Sequence, residues 1–186
     1  MVHGISISSG LGSVLYAQSQ PAPYDVRRAL CHGDLARVDF YGSFDGYLFD
    51  LGRSTVVGHE PTADQQALLD AVRDTSLAGV ATVRAGATVG DIARACDDHW
   101  ADTELVRRGL VVPTGFAAWG HATSLCWEEP WIGSDCEIEL QPGMVFCIEK
   151  RQPVPGLGGA NFEETVVVTE GGYELLTSAV RDRDRP

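Results

Sequence analysis

The sequence predicts an α+β fold. Strand-like runs lie on both sides of two amphipathic helical stretches, each of which opens with a capping box. No regular strand–helix–strand rhythm joins them, which argues against a parallel α/β sheet. The 186 residues suffice for one domain with a sizeable core. That domain is expected over residues 1–180, followed by a charged tail at 181–186, "RDRDRP" being its alternating end.

The elements follow in chain order. "ISISSG" is a short strand ending at Gly10, and "QSQPAP" is a loop. Residues 37–57 form a strand, a turn at Asp45-Gly46 and a second strand. "HEPTADQQALLDAVRDTSLAGV" is a helix opened by Thr62 and Gln65, with Leu68, Leu69 and Val72 at helical spacing. Thr88 and Asp91 open a second helix that runs to about Trp100. "ELVRRGLVVPTG" is expected to carry a turn and a strand. "PGMVFCIEK" and "NFEETVVVTE" are strands joined by the loop "RQPVPGLGGA", and "GGYELL" is a last turn and strand.

Composition narrows the function. A formal net charge of -12 with no basic face excludes a broad nucleic-acid footprint. No apolar run is long enough to span a bilayer, so no membrane partner is expected. Five cysteines, an odd count with no CxxC pair, argue against a disulfide framework and fit a reducing compartment. No signal-peptide pattern opens the sequence, so a cytoplasmic location is expected.

Acidic residues sit where strands should be. A hairpin turn centred between Phe44 and Asp45 would place Asp39 opposite Asp50, their Cβ atoms roughly 5 Å apart. Like charges so placed destabilise a sheet unless a cation lies between them or one carboxyl stays neutral. A loop centred on Gly156 places Glu149 opposite Glu163 in the same way. With His121 after a glycine, four oxygen donors and one imidazole suit a pair of divalent ions such as Mn, Co, Zn or Fe(II), about 3.5 Å apart. Asp45 belongs to the turn, and His3, His32, His59 and His99 show no partner. Cys126 and Cys147 lie near these motifs, but no histidine is placed to activate either as a nucleophile.

"GDLARVDFYGSFDGYLFDLGRSTVVG", "GH" at 120–121, "EEP" at 128–130, "LQPGMVFCIEK" and "VPGLGGANFEETVVVTEGGYELLT" resemble the pita-bread metallopeptidases, peptidase family M24. That family includes methionine aminopeptidase, aminopeptidase P and prolidase. The short loop carrying "VPGLGG" is closer to the prolidase and aminopeptidase P branch. The resemblance implies a pita-bread fold and five metal ligands, Asp39, Asp50, His121, Glu149 and Glu163. It implies that Asp50 and Glu163 bridge two ions, and that a hydroxide between the ions attacks an amide carbonyl. It also implies catalytic roles for Glu149, in proton transfer, and for His121. The substrate implied is a small peptide or amide of the Xaa-Pro type.

Several departures bear on activity. "SGLGSVLYAQSQPAP" lacks the family's proline–histidine pair, the family's second histidine falls on Glu128, and "AAWGHA" stands where prolidases carry "HGTGHG". Losing such a donor costs about 2.7–4 kcal/mol of transition-state stabilisation. Glu128, Trp119 and Arg151 are the candidate substrate contacts, and Arg53 is a further candidate for a substrate carboxylate. In the family two helices and a strand precede the segment matching Met1. An oligomer or a partner chain is therefore expected to cover one sheet face. A hydrolase is the leading expectation. The alternative is a catalytically impaired relative that serves as a binding subunit, and fold alone does not exclude other chemistry on the same centre.

Overall fold

The computed structural model describes residues 1–14, 28–114 and 118–177. Strand β1 (Val2–Ser9) leads into a hairpin of β2 (Leu35–Phe44) and β3 (Tyr47–Val56). Helices α1 (Ala63–Val80), α2 (Val89–Ala101) and the short α3 (Glu104–Arg107) follow. Strands β4 (Gly120–Thr123), β5 (Trp127–Trp131), β6 (Val145–Val154), β7 (Gly158–Thr169) and β8 (Gly172–Leu175) complete the described chain. The strands form two antiparallel sheets, β1-β2-β3 and β5-β4-β6-β7-β8. The loop "QSQPAP" and the charged tail lie outside the described residues.

Both long helices start where their capping boxes predict. The Thr62 and Thr88 hydroxyls accept from the backbone N–H groups of Gln65 and Asp91, whose side chains reach back to the cap N–H. Helix α1 buries Leu68, Ala71 and Val72 against Leu35, Val56, Val154 and Ala160. Helix α2 buries Val89, Ile92, Ala93 and Cys96 against Phe146, Ile148, Val166 and Val168. These two apolar clusters occupy one face of β6 and β7. Alternation along the strands then turns Cys147, Glu149, Glu163 and Thr165 to the opposite face. No helix among the described residues is long and apolar enough to cross a membrane.

Three local expectations need correction. The β2–β3 turn is the two-residue Asp45-Gly46 pair, with φ of 50° and 90°, closed by Phe44 opposite Tyr47. Asp39 therefore faces Gly52, and Asp50 faces Tyr41, so the two acids are diagonal neighbours on one face rather than direct opposites. Residues 110–114 form no strand: Thr103 caps the one-turn α3, whose Leu105 is buried, and the Val112 carbonyl accepts from Gln152 Nε2 at 3.0 Å. The expected loop "RQPVPGLGGA" contracts to three residues, because β6 and β7 stay paired out to Val154 and Gly158. Pro153 is tolerated there because, among the described residues, β4 pairs only with Phe146 to Ile148, which leaves β6 an edge beyond that point. Strands β4 and β5 carry too little alternation to be recognised from sequence.

Gly120 starts β4 with φ of 132°, and a Cβ there would lie 1.9 Å from the Cys147 carbonyl oxygen. A Gly120→Ala variant is expected to lose about 3 kcal/mol or more of stability in urea titration, because backbone blocks relief of the clash. A loss below about 0.5 kcal/mol would show that β4 shifts freely.

Candidate metal centre

The two sheets meet with their acidic faces together. Thr165 Oγ1 donates to the Asp50 carbonyl at 2.6 Å, and Asn161 N donates to Ser54 Oγ at 2.8 Å, joining β7 to β3. Asp39 from β2, Asp50 from β3 and Glu163 from β7 each bring a carboxylate oxygen within 4.8 Å of the others. His121 from β4, Cys147 from β6 and the same Glu163 form a second group within the same limit. All five residues are buried. Glu163 belongs to both groups.

The electrostatics of these groups are unbalanced. Burial, with the charges of Asp39 and Glu149 added to it, pushes the Asp50 carboxyl up to about 8. Hydrogen bonds from Trp127 Nε1 at 2.8 Å and Leu51 N at 2.9 Å offset this only in part. Burial and the neighbouring Asp50, Glu149 and Asp39 charges hold Glu163 well above the usual carboxylate range. Glu163 Oε1 is buried with no hydrogen-bond partner among the described residues. A cation between Asp39, Asp50 and Glu163 would supply the missing partner and remove the repulsion, so this donor set fits a divalent ion.

Glu149 lies directly opposite Glu163 across β6 and β7, the pairing expected from the sequence. Yet it joins neither three-residue group. Both its oxygens accept from Arg151, Nη2 standing 2.7 Å from Oε1. Burial works against the charge on Glu149, but Arg151, then His121 and Arg37, keep its carboxyl below the ordinary value. His121 Nδ1 lies 3.0 Å from the Ala122 carbonyl, which only accepts, so Nδ1 carries the proton and Nε2 is left as donor atom for a metal.

The candidate substrate contacts separate. Arg151 and Trp119 line a cavity of about 110 Å³ with Glu149 and Lys150. Trp119 Nε1 donates to Asp97 at 2.8 Å. Glu128 pairs with Ala122, whose side chain faces the helix-covered core, and it accepts from the Ser124 hydroxyl. It therefore faces away from the carboxylates and lines a separate cavity of about 450 Å³ with Ser124, Met144 and Phe146. Its neighbour Trp127 takes the site-facing position, opposite Thr123 and bonded to Asp50. Alternation along β5 would have singled out Trp127 had that strand been legible. Arg53 is engaged by Glu164 at 3.0 Å and lies 4.3 Å from the Phe162 ring centroid. Arg37, which no sequence pattern singled out, is buried and donates to Asp39 Oδ2 at 3.3 Å.

Similarity to known proteins decides the family. Residues 3–170 match the model of metallopeptidase family M24. The chain belongs to that family. It is 34% identical over 147 residues to the probable dipeptidase PepE of Mycobacterium tuberculosis, covering 78% of this chain and 37% of that protein. It is 28% identical over 156 residues to the Xaa-Pro dipeptidase of Pyrococcus furiosus, covering 81% of this chain and 41% of that one. The crystal structure of dipeptidase PepE from Mycobacterium ulcerans matches with a TM-score of 0.78 and 33% identity, over 94% of this chain and 44% of that one. That likeness bears out the pita-bread class for this M24 chain. The chain spans about two fifths of the length of the curated relatives it matches.

The raised carboxyls predict a pH dependence for the metal-free M24 domain. Above an ordinary Asp pKa of 3.8 the unfolded chain ionises, while folded Asp50 keeps its proton up to about 8. The folded state then binds more protons, so each such group costs about 1.4 kcal/mol of stability per pH unit across that window. Glu163 acts in the same direction. Melting in a chelator is therefore expected to fall from pH 5 to pH 8, and added divalent cation should raise melting most at pH 8. A flat or rising melting temperature in the chelator would contradict the arrangement.

Proposed function

We propose that this chain carries the dinuclear metal site of an amide hydrolase acting on small peptides or peptide-like amides, with Xaa-Pro dipeptides as the first substrates. The observation that carries the reading is the pair of three-donor groups sharing Glu163. Asp39, Asp50 and Glu163 would hold one ion, and His121 and Glu163 the other, with Glu149 beside it. Bound divalent ions would lower the pKa of a coordinated water and polarise the amide carbonyl. Glu149 carries the proton, taking it on Oε1 when Arg151 Nη2 turns away from that oxygen. Trp127 steadies Asp50 through its indole N–H. The relatives' names, dipeptidase and Xaa-Pro dipeptidase, support this substrate class.

One observation favours a second reading. Arg151 occupies both oxygens of Glu149, the arrangement of a salt bridge more than of a free base. A binding subunit without turnover would tolerate it. Elemental analysis of the purified chain, with an assay on Xaa-Pro dipeptides in added Mn or Co, separates the two. Two bound ions with cation-dependent release of proline support the hydrolase. Bound ions with no turnover support the binding role, and a folded chain that takes up no metal refutes the metal centre.

A further inference from the structure

We infer that Cys147 is itself a metal ligand in this chain, completing with His121 and Glu163 a nitrogen–sulfur–oxygen site that favours zinc over manganese. The inference rests on the metal-centre reading above. It starts from register: Cys147 pairs directly with His121 across β4 and β6, and stands two residues along from Glu149, the partner of Glu163. The three side chains thus share one face, and one donor atom from each lies within 4.8 Å of the other two. Each is buried, at 4% exposure for His121, 0% for Cys147 and 1% for Glu163.

Two further observations separate this cysteine from a packing residue. Glu163, one of whose carboxylate oxygens lies within 4.8 Å of the thiol and the imidazole, has an Oε1 that is buried and unpartnered among the described residues. Glu149, the carboxylate that would otherwise complete the His121 side, has both oxygens on Arg151. Cys147 is then the third donor that the geometry leaves. Its Sγ lies 3.5 Å from Thr165 Oγ1, whose own proton goes to the Asp50 carbonyl, so the thiol hydrogen points to Thr165. Cys96 shows the contrast: equally buried, it packs in the α2 core and reaches the Thr75 carbonyl.

Coordination exchanges one bond for another. The S–H bond breaks, an S–metal bond forms, and the proton leaves to solvent, with no change of oxidation state. Thiolate sulfur is a soft donor and imidazole a borderline one, which selects Zn over Mn. The all-carboxylate group of Asp39, Asp50 and Glu163 keeps no such preference.

The test uses the chain with Cys31, Cys126 and Cys136 replaced by Ser, because those thiols are exposed or half-buried. Loaded with Co(II), this protein is expected to show a near-ultraviolet thiolate-to-cobalt charge-transfer band. The band should survive Cys96→Ala and vanish in Cys147→Ser while cobalt stays bound. Competition between Zn(II) and Mn(II) should show the preference for zinc falling about tenfold or more in Cys147→Ser. Bound cobalt without the band, or a band that persists in Cys147→Ser, overturns the inference and leaves the metal centre standing. If Cys147→Ser does not fold, the Cys96→Ala spectrum decides, since Cys147 is then the last thiol. A folded protein that binds no cobalt at all overturns the metal-centre reading and this inference together.

Discussion

A Glu163→Gln variant is expected to lose the metal response of the fold while keeping the fold itself. Glu163 is buried on β7 and is the shared member of both donor groups. Its carboxyl is held well above its usual range by burial and by Asp50, Glu149 and Asp39, so the metal-free protein favours the neutral form. Gln has the shape of that neutral form and removes the repulsion that develops as pH rises. In a chelator at pH 8, the variant should therefore melt at or above the wild-type temperature. With divalent cation at one hundred times the dissociation constant, the wild type should gain about 2.7 kcal/mol. For a chain of this length that is a rise of roughly 5–11 °C, which the variant should lack. Calorimetry with and without cation measures both effects. A cation-induced rise that survives in Glu163→Gln would remove Glu163 from the centre.

Arg151→Met should have the opposite character, a large loss in the metal-free protein that cation partly restores. Glu149 is 2% exposed and places both oxygens on the Arg151 guanidinium. Removing one partner of a buried pair leaves an uncompensated charge, at a cost of about 3–5 kcal/mol. The variant can reduce that cost by protonating Glu149, whose pKa must then rise, so the loss should be larger at pH 8 than at pH 5. Urea titrations at the two pH values measure it. A cation near Glu149 would take the place of the guanidinium and recover part of the stability. A loss below about 1 kcal/mol at pH 8 would show that the pair behaves as a solvated surface contact.

Much of this centre was legible before the fold. The Glu149–Glu163 pairing could be read because the β6–β7 connection is short and its glycine marks the turn. The capping boxes at Thr62 and Thr88 were equally local. The Asp39–Asp50 register was misplaced by two residues, because Asp45 adopts a positive φ and joins Gly46 in the turn. That shift turns direct opposites into diagonal neighbours, and because it is even both stay on one face of strands that alternate with a period of two. Strand β5 was not legible at all, and with it went the choice between Glu128 and Trp127.

Local pattern thus determined the α+β class, the two main helices, and the acids and histidine from which the centre is built. Spacing alone carries that information, because capping, helical periodicity and short hairpins involve residues near one another in the chain. Tertiary structure alone decided three other matters: that Arg151 holds Glu149, that Trp127 bonds Asp50, and that Cys147 stands opposite His121. Two of these contacts join strands separated by the helices or by a long connection, and the third depends on which competing partner reaches a buried carboxylate first. Neither register across such distances nor the outcome of that competition is encoded in any short window of residues.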